Sequence, residues 1–182
     1  MTKTMNERFS RLLIECKQEM DTLKVPYNYE SNMILQGNFS RAMGQTRMRR
    51  RGSEKTFEIS LASDMEYANN KGIKDTILHE LIHTCEGCFN HGEKFHHYGN
   101  MLNRKYGYSI DRTGSMESIC SKEKFEELKE QRENTSKYKI TCKGCGHVYL
   151  QARRSKFIDR KGVGYICTVC NSRSNFEVVQ NY

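Results

Sequence analysis

The sequence reads as α+β in two parts: a helical domain carrying a small antiparallel sheet over residues 1–134, and a compact four-cysteine ribbon over 135–182. Three observations predict this. Apolar residues recur at helical spacing in separate stretches, short alternating runs lie between the first two of them, and two Cys-x2-Cys pairs stand near the C-terminal end. The length suits one domain with a small appended module, and the chain shows no internal repeat, heptad pattern or low-complexity segment.

Each element follows from its pattern. Residues 5–23 put Phe9, Leu12, Leu13, Cys16, Met20 and Leu23 on one side, with Pro26 beyond as a stop. Residues 33–35, 41–48 and 55–61 read as strands, with Phe57, Ile59 and Leu61 alternating inward. The last of these is expected at a sheet edge, where it could pair with an extended peptide. Ile73, Ile77, Leu78, Leu81 and Ile82 predict a helix with Asp75 early in it and Gly87 as its stop. Phe95, Tyr98, Met101, Leu102 and Tyr106 predict another after Gly92. Residues 119–133 read as a charged helix with Phe125 and Leu128 on one side, and Asn134-Thr135-Ser136 as linker. Tyr138, Ile140, Val148, Leu150, Tyr165, Phe176 and Val178 then alternate as short antiparallel strands would.

Inside the second helix, His79-Glu80-Leu81-Ile82-His83 reads HExxH. Residues four apart on a helix differ by ~40° of rotation, so the two imidazoles can face one ion. Glu80 lies ~60° round from His83, poorly aimed as a ligand but able to reach a water on the same ion. This is the pattern of a catalytic zinc site, in which three protein ligands leave one position for water whose pKa falls from about 15.7 towards about 7. Glu80 would take the proton from that water as it attacks a carbonyl and return it to the leaving amine, so peptide hydrolysis is the natural reaction. For the third ligand, His91, His96 and His97 are candidates, with Glu86, Glu93 and Glu117 as carboxylate alternatives. His91 is favoured, since it precedes Gly92 at a helix entrance and can face back across the turn. The eight-residue interval from His83 to His91 departs from the six of metzincins.

The run Asp75-Thr76-Ile77-Leu78-His79-Glu80-Leu81-Ile82-His83-Thr84, followed by Gly87-Cys88-Phe89-Asn90-His91-Gly92-Glu93-Lys94-Phe95, resembles the SprT-like zinc metalloproteases, a group that includes a protease of DNA-protein crosslink repair. Upstream, Ala42 to Arg47 followed by Ile59-Ser60-Leu61 is similar to the strand pair before that family's active-site helix, and many bacterial members close with a four-cysteine ribbon. The resemblance implies a zincin-like domain, His79, His83 and His91 as ligands of a catalytic zinc, Glu80 as catalytic residue, and protein crosslinked to DNA as substrate.

Cys142, Cys145, Cys167 and Cys170 form two pairs with 21 residues between them, close to the usual spacing of paired zinc knuckles. So short a segment buries too little to fold alone, and a closed four-sulfur zinc site supplies the missing energy. That site is structural, so the chain is expected to hold two zinc ions, one catalytic and one structural. Cys85 and Cys88 form a further pair, read as free buried thiols rather than half of another site. A disulfide framework belongs to secreted chains. Residues 1–8 lack the apolar core of a signal peptide and no stretch is long enough to span a bilayer, so a cytoplasmic protein, nucleoid-associated if bound to DNA, is expected.

The chain carries +8, and from Lys137 onward nine basic residues face two acidic ones, a net +7. Arg153, Arg154, Lys156, Arg160 and Lys161 lie between the cysteine pairs, with Phe157 among them and Tyr165 after. Clustered cations with interleaved aromatics suit a nucleic acid, and Tyr165 is expected to offer a stacking surface to single-stranded or distorted DNA. Arg47, Arg49, Arg50 and Arg51 form a second basic run. The sequence thus predicts a monomeric zinc endopeptidase acting on proteins bound or crosslinked to DNA, with no membrane partner. The competing expectation is a nucleic-acid-binding zinc ribbon protein whose HExxH site is non-catalytic or regulatory.

Overall fold

A computed structural model describes residues 7–28, 34–37, 42–110 and 115–180, with the backbone alone for 34–37. Met33 and Arg41, at the margins of two expected strands, lie outside the described residues. The chain divides into two compact units, Met1–Lys122 and Glu123–Tyr182, so most of the charged helix before the ribbon belongs to the second unit, upstream of the expected division at 134/135.

In the first unit, α1 (Glu7–Thr22) buries Phe9, Leu12, Leu13, Cys16 and Met20 on the stripe that its periodicity marks. Its N-terminal turn is tied down by Arg8, whose guanidinium donates to the Glu66 and Ala68 carbonyls at 3.0 and 2.7 Å. Strands β1 (Ile34–Gly37), β2 (Gly44–Arg51) and β3 (Glu54–Ala62) form one sheet in the order β1-β3-β2. β2 and β3 pair antiparallel, and β1 joins parallel on the far side of β3. This corrects one expectation: β3 is the central strand, and the open edge nearest the functional residues belongs to β2. The reason is the parallel pairing of β1 with the Ile59–Ala62 end of β3, which alternation within β3 does not encode.

Helix α2 (Asn70–Ile82) starts where the Asn69 side chain accepts a hydrogen bond from the Gly72 N–H at 2.8 Å. Ile73, Ile77, Leu78, Leu81 and Ile82 are all fully buried, leaving this helix enclosed between α1, the sheet and α3. Such a site cannot collapse freely, so cutting Leu81 to alanine costs about 2–5 kcal/mol. Gly72 admits Ile119 so closely that a Cβ there would sit 2.6 Å from it. Helix α3 (Glu93–Tyr106) ends on Gly107 at φ 74, whose N–H bonds back to the Asn103 carbonyl. A short turn of helix, α4 (Met116–Ile119), closes the unit.

In the second unit, α5 (Lys122–Thr135) buries only Leu128. Strands β4 (Tyr138–Cys142), β5 (Val148–Gln151) and β6 (Phe176–Gln180) form an antiparallel sheet in the order β5-β4-β6, and the short helix α6 (Lys156–Asp159) sits in the loop between the cysteine pairs. Among the described residues no helix is long and apolar enough to cross a membrane.

Candidate metal centres

Helix α2 ends at Ile82 and His83 is its C-cap, so HExxH occupies the last turn rather than the middle of a helix running on to Gly87. The early stop has local causes. The Thr84 hydroxyl donates to the Leu81 carbonyl at 2.7 Å, Gly87 turns at φ 78, and the chain folds back until the Cys88 carbonyl lies 2.8 Å from His83 Nδ1. Ending there also sets both imidazoles at the negative pole of the helix, where a cation is favoured.

The tautomers follow from the partners. His79 Nδ1 lies 3.0 Å from the Ile110 carbonyl and His83 Nδ1 2.8 Å from that of Cys88, so each Nδ1 carries the proton and donates it. Each Nε2 is then a bare lone pair. Yet His79 Nε2 stands 3.1 Å from His83 Nε2 and 3.0 Å from His91 Nε2, an arrangement that repels itself until a cation takes the middle. A tetrahedral ion with nitrogen ligands at 2.0–2.1 Å spaces them ~3.3 Å apart, close to what is seen. The residues therefore fit a metal, and the three histidines form one of two ligand groups among the described residues. Burial holds the His83 imidazolium down to about 4, with the neighbouring His79 and His91 adding to the effect, so the ring is neutral and free to ligate at neutral pH.

Phe95 is fully buried and packs against all three rings, with centroids 4.7–4.8 Å away. Its helical position is plain in the sequence, but its place as the floor of the cluster is not. His91 reaches the cluster from just before the Gly92 cap of α3, whereas His96 and His97 are exposed on that helix, and Glu86, Glu93 and Glu117 lie outside the ligand group.

Glu80 is only 5% exposed and is not one of the clustered donors. Thr46 on β2 holds it: the threonine hydroxyl lies 2.7 Å from Oε2 and 2.9 Å from the Glu80 carbonyl. Burial pushes the carboxyl up to about 7, against the hydrogen bonds from the Thr46 hydroxyl and backbone N–H. Gly44, two residues earlier on the same face of β2, lets the strand close on Glu80, since a Cβ there would lie 2.6 Å from Oε1. A cleft of about 540 Å³ opens over the imidazoles, lined by Gly44, Gln45, Thr46, Glu80 and Phe89 besides the histidines. Gly44 and Thr46 stand 36 and 34 residues before Glu80, so their hold on it has no local signal.

The second group comprises Cys142, Cys145, Cys167 and Cys170. The Cys142–Cys170 and Cys145–Cys167 sulfurs are 3.6 and 3.8 Å apart, and sulfur ligands at ~2.3 Å from a tetrahedral ion are ~3.8 Å apart. The Tyr149 hydroxyl at 3.2 Å and backbone N–H groups bring the Cys167 thiol down to about 6, and the Ser172 hydroxyl lowers Cys142. Thiolates, the form that binds metal, are favoured at both.

Of the basic loop, Arg153, Lys156, Arg160 and Lys161 are exposed, while Arg154 is paired with Asp159 at 2.5 Å. Tyr165 is half-buried against Phe157, centroids 4.7 Å apart, and Phe157 packs in turn on Phe176 at 5.0 Å. These rings make the ribbon's own small core, which is what so short a unit must do with its aromatics, and little of Tyr165 is left as a stacking platform. Cys85 and Cys88 are buried, with burial pushing the Cys85 thiol up to about 12 and raising Cys88 as well. Neither belongs to a ligand group.

No family model, curated protein or solved structure matches this chain.

Proposed function

We propose that this chain is a zinc-dependent endopeptidase of the SprT type, with a zincin-like catalytic unit, acting on proteins bound or crosslinked to DNA. The observation that carries the hydrolytic part is Glu80, a buried carboxyl that ligates nothing yet is fixed at the wall of an open three-imidazole cluster. A structural site has no use for such a group.

Zinc on the three imidazoles would supply a Lewis acid that acidifies a water and polarises a peptide carbonyl. Glu80, buried at the wall of the cleft and held there by Thr46, would be the base for a water so activated and would pass the proton on to the departing amine. Thr46 aims it, and the Ile110 and Cys88 carbonyls keep the His79 and His83 lone pairs turned inward. Gln45 and Thr46 on the β2 edge border the cleft, where an extended peptide could pair with the strand irrespective of its sequence. The ribbon's net charge of +7 before metal binding supports attraction to nucleic acid, and the DNA-bound substrate itself rests on the resemblance of the HExxH segment.

The test is to incubate wild type and Glu80→Gln with a DNA-binding protein, with and without single-stranded DNA, following both polymers. DNA-stimulated proteolysis that Glu80→Gln loses is the expected result. Intact protein in every lane would overturn the enzymatic reading and favour a binding protein with a regulatory metal. Metal analysis of the wild type should find about two zinc ions per chain.

A further inference from the structure

The hairpin of β2 and β3 runs on past the metal cleft as a basic ribbon. Among the described residues β1 pairs with β3 only from Ile59 to Ala62, so residues 47–58 have only each other as strand partners there, joined by a turn at Gly52-Ser53 with Gly52 at φ 64. Side chains alternate along a strand. Gly44 and Thr46 face Glu80, so Met48 and Arg50 follow on that same face, beside their cross-strand partners Phe57 and Lys55.

Arg50 and Lys55 stand directly opposite one another. Like charges in that position destabilise a hairpin; Arg50 Nε donates to the Gly52 carbonyl at 3.1 Å, and no ion pair joins either residue to a carboxylate among the described residues. Glu54 and Glu58 point to the other face, where Glu58 meets Arg49 at 3.0 Å and Arg47 and Arg51 are exposed. The ribbon thus carries five basic residues against two acidic, a net +3, with cations on both faces. Met48 is 41% exposed beside them.

We propose that this ribbon is a nucleic-acid-binding arm, in which Arg50 and Lys55 hold backbone phosphates and Met48 and Phe57 offer an apolar contact to the adjoining sugar or base. Arg50 lies ~13 Å along the strand from Thr46, so the bound backbone would continue the line of the cleft. An acidic peptide in the cleft would need cations on one face only. A ribbon lying in a groove meets phosphates on both sides, which is the distribution found. The arm adds a partner to the protease proposed above and leans on that reading for its purpose, but binding is measured without cleavage.

The test uses zinc-loaded full chain, wild type and the double variant Arg50→Ala/Lys55→Ala, titrated by fluorescence anisotropy against labelled duplex DNA and labelled oligo-dT from ~50 to ~200 mM salt. Losing two phosphate contacts should make the slope of log affinity against log salt shallower by about 1.8 on duplex or about 1.4 on single strands. The charge-conserving Arg50→Lys should keep the wild-type slope. The proposal is overturned if the double variant keeps both slope and affinity, if wild type fails to bind either DNA, or if polyglutamate binds wild type as tightly as DNA and loses as much in the variant. A chain that shows the slope change but cleaves nothing in the Glu80 assay would sink the protease reading and leave the arm standing.

Discussion

Replacing Glu80 by glutamine should stabilise the metal-free protein, and by more the higher the pH. Burial raises this carboxyl from an ordinary value of 4.5 to about 7. A group whose folded pKa is raised contributes stability that is full below the unfolded value and lost as pH rises through the folded one. The window therefore runs from about 4.5 to about 7. Two and a half units at 1.36 kcal/mol each give a wild-type penalty of roughly 3 kcal/mol near pH 8.5, against about 1 kcal/mol near pH 5. Glutamine carries no charge to bury, and it can still accept from Thr46. Urea unfolding of chelator-treated wild type and Glu80→Gln, followed by tyrosine circular dichroism because the chain has no tryptophan, should show the gap between them widening by about 2 kcal/mol from pH 5 to pH 8.5. Chelation empties both centres in both proteins, so the difference isolates position 80. Restoring zinc should narrow the gap, since a cation beside the carboxylate favours its ionised form. A gap that stays constant across this range would refute the claim that Glu80 is an ionisable group held in a desolvating site.

Further outcomes follow from the same geometry. Gly44→Ala places a Cβ 2.6 Å from Glu80 Oε1 and 2.8 Å from Thr76 Cγ2, so it should cost about 1–3 kcal/mol in thermal unfolding and lower peptidase activity by on the order of tenfold or more while zinc content is unchanged. Thr46→Val removes a hydrogen bond that holds the Glu80 carboxyl down, so the acid limb of the kcat/KM profile should move to higher pH, and an unmoved limb would detach Thr46 from Glu80. Cys142→Ser should drop the metal content from about two to about one zinc per chain and expose the 136–180 segment to proteolysis, while the Glu80-dependent activity on a protein substrate free of DNA persists.

Much of the candidate site is legible in the chain because it is local. A helix sets residues four apart on one side, so His79 and His83 can be paired from spacing alone, and Cys-x2-Cys is a turn that delivers two sulfurs to one point. The burial of α1 and α2 is equally a matter of period, as Phe9, Leu12 and Met20 or Ile73, Ile77 and Leu81 declare their inner faces without reference to any neighbour. What the sequence by itself determined about this protein, then, is where its helices bury themselves and which donors come in pairs.

The tertiary structure decided everything that depends on a path through space. Where α2 stops was settled by hydrogen bonds from the following turn, in which Gly87 bends the chain back towards His83. Which downstream donor meets His79 and His83 depends on how residues 84–92 fold back, and His91 Nε2 is the one that arrives. Whether β3 lies at the edge or the centre depends on β1 pairing in parallel, which alternation within β3 does not encode. Phe157 and Tyr165 turned inward because a unit this small needs its aromatics for a core. Above all, the titration of Glu80 is a property of its surroundings: burial raises the carboxyl, and Thr46, 34 residues away, holds it back through hydrogen bonds, which no stretch of sequence around position 80 encodes.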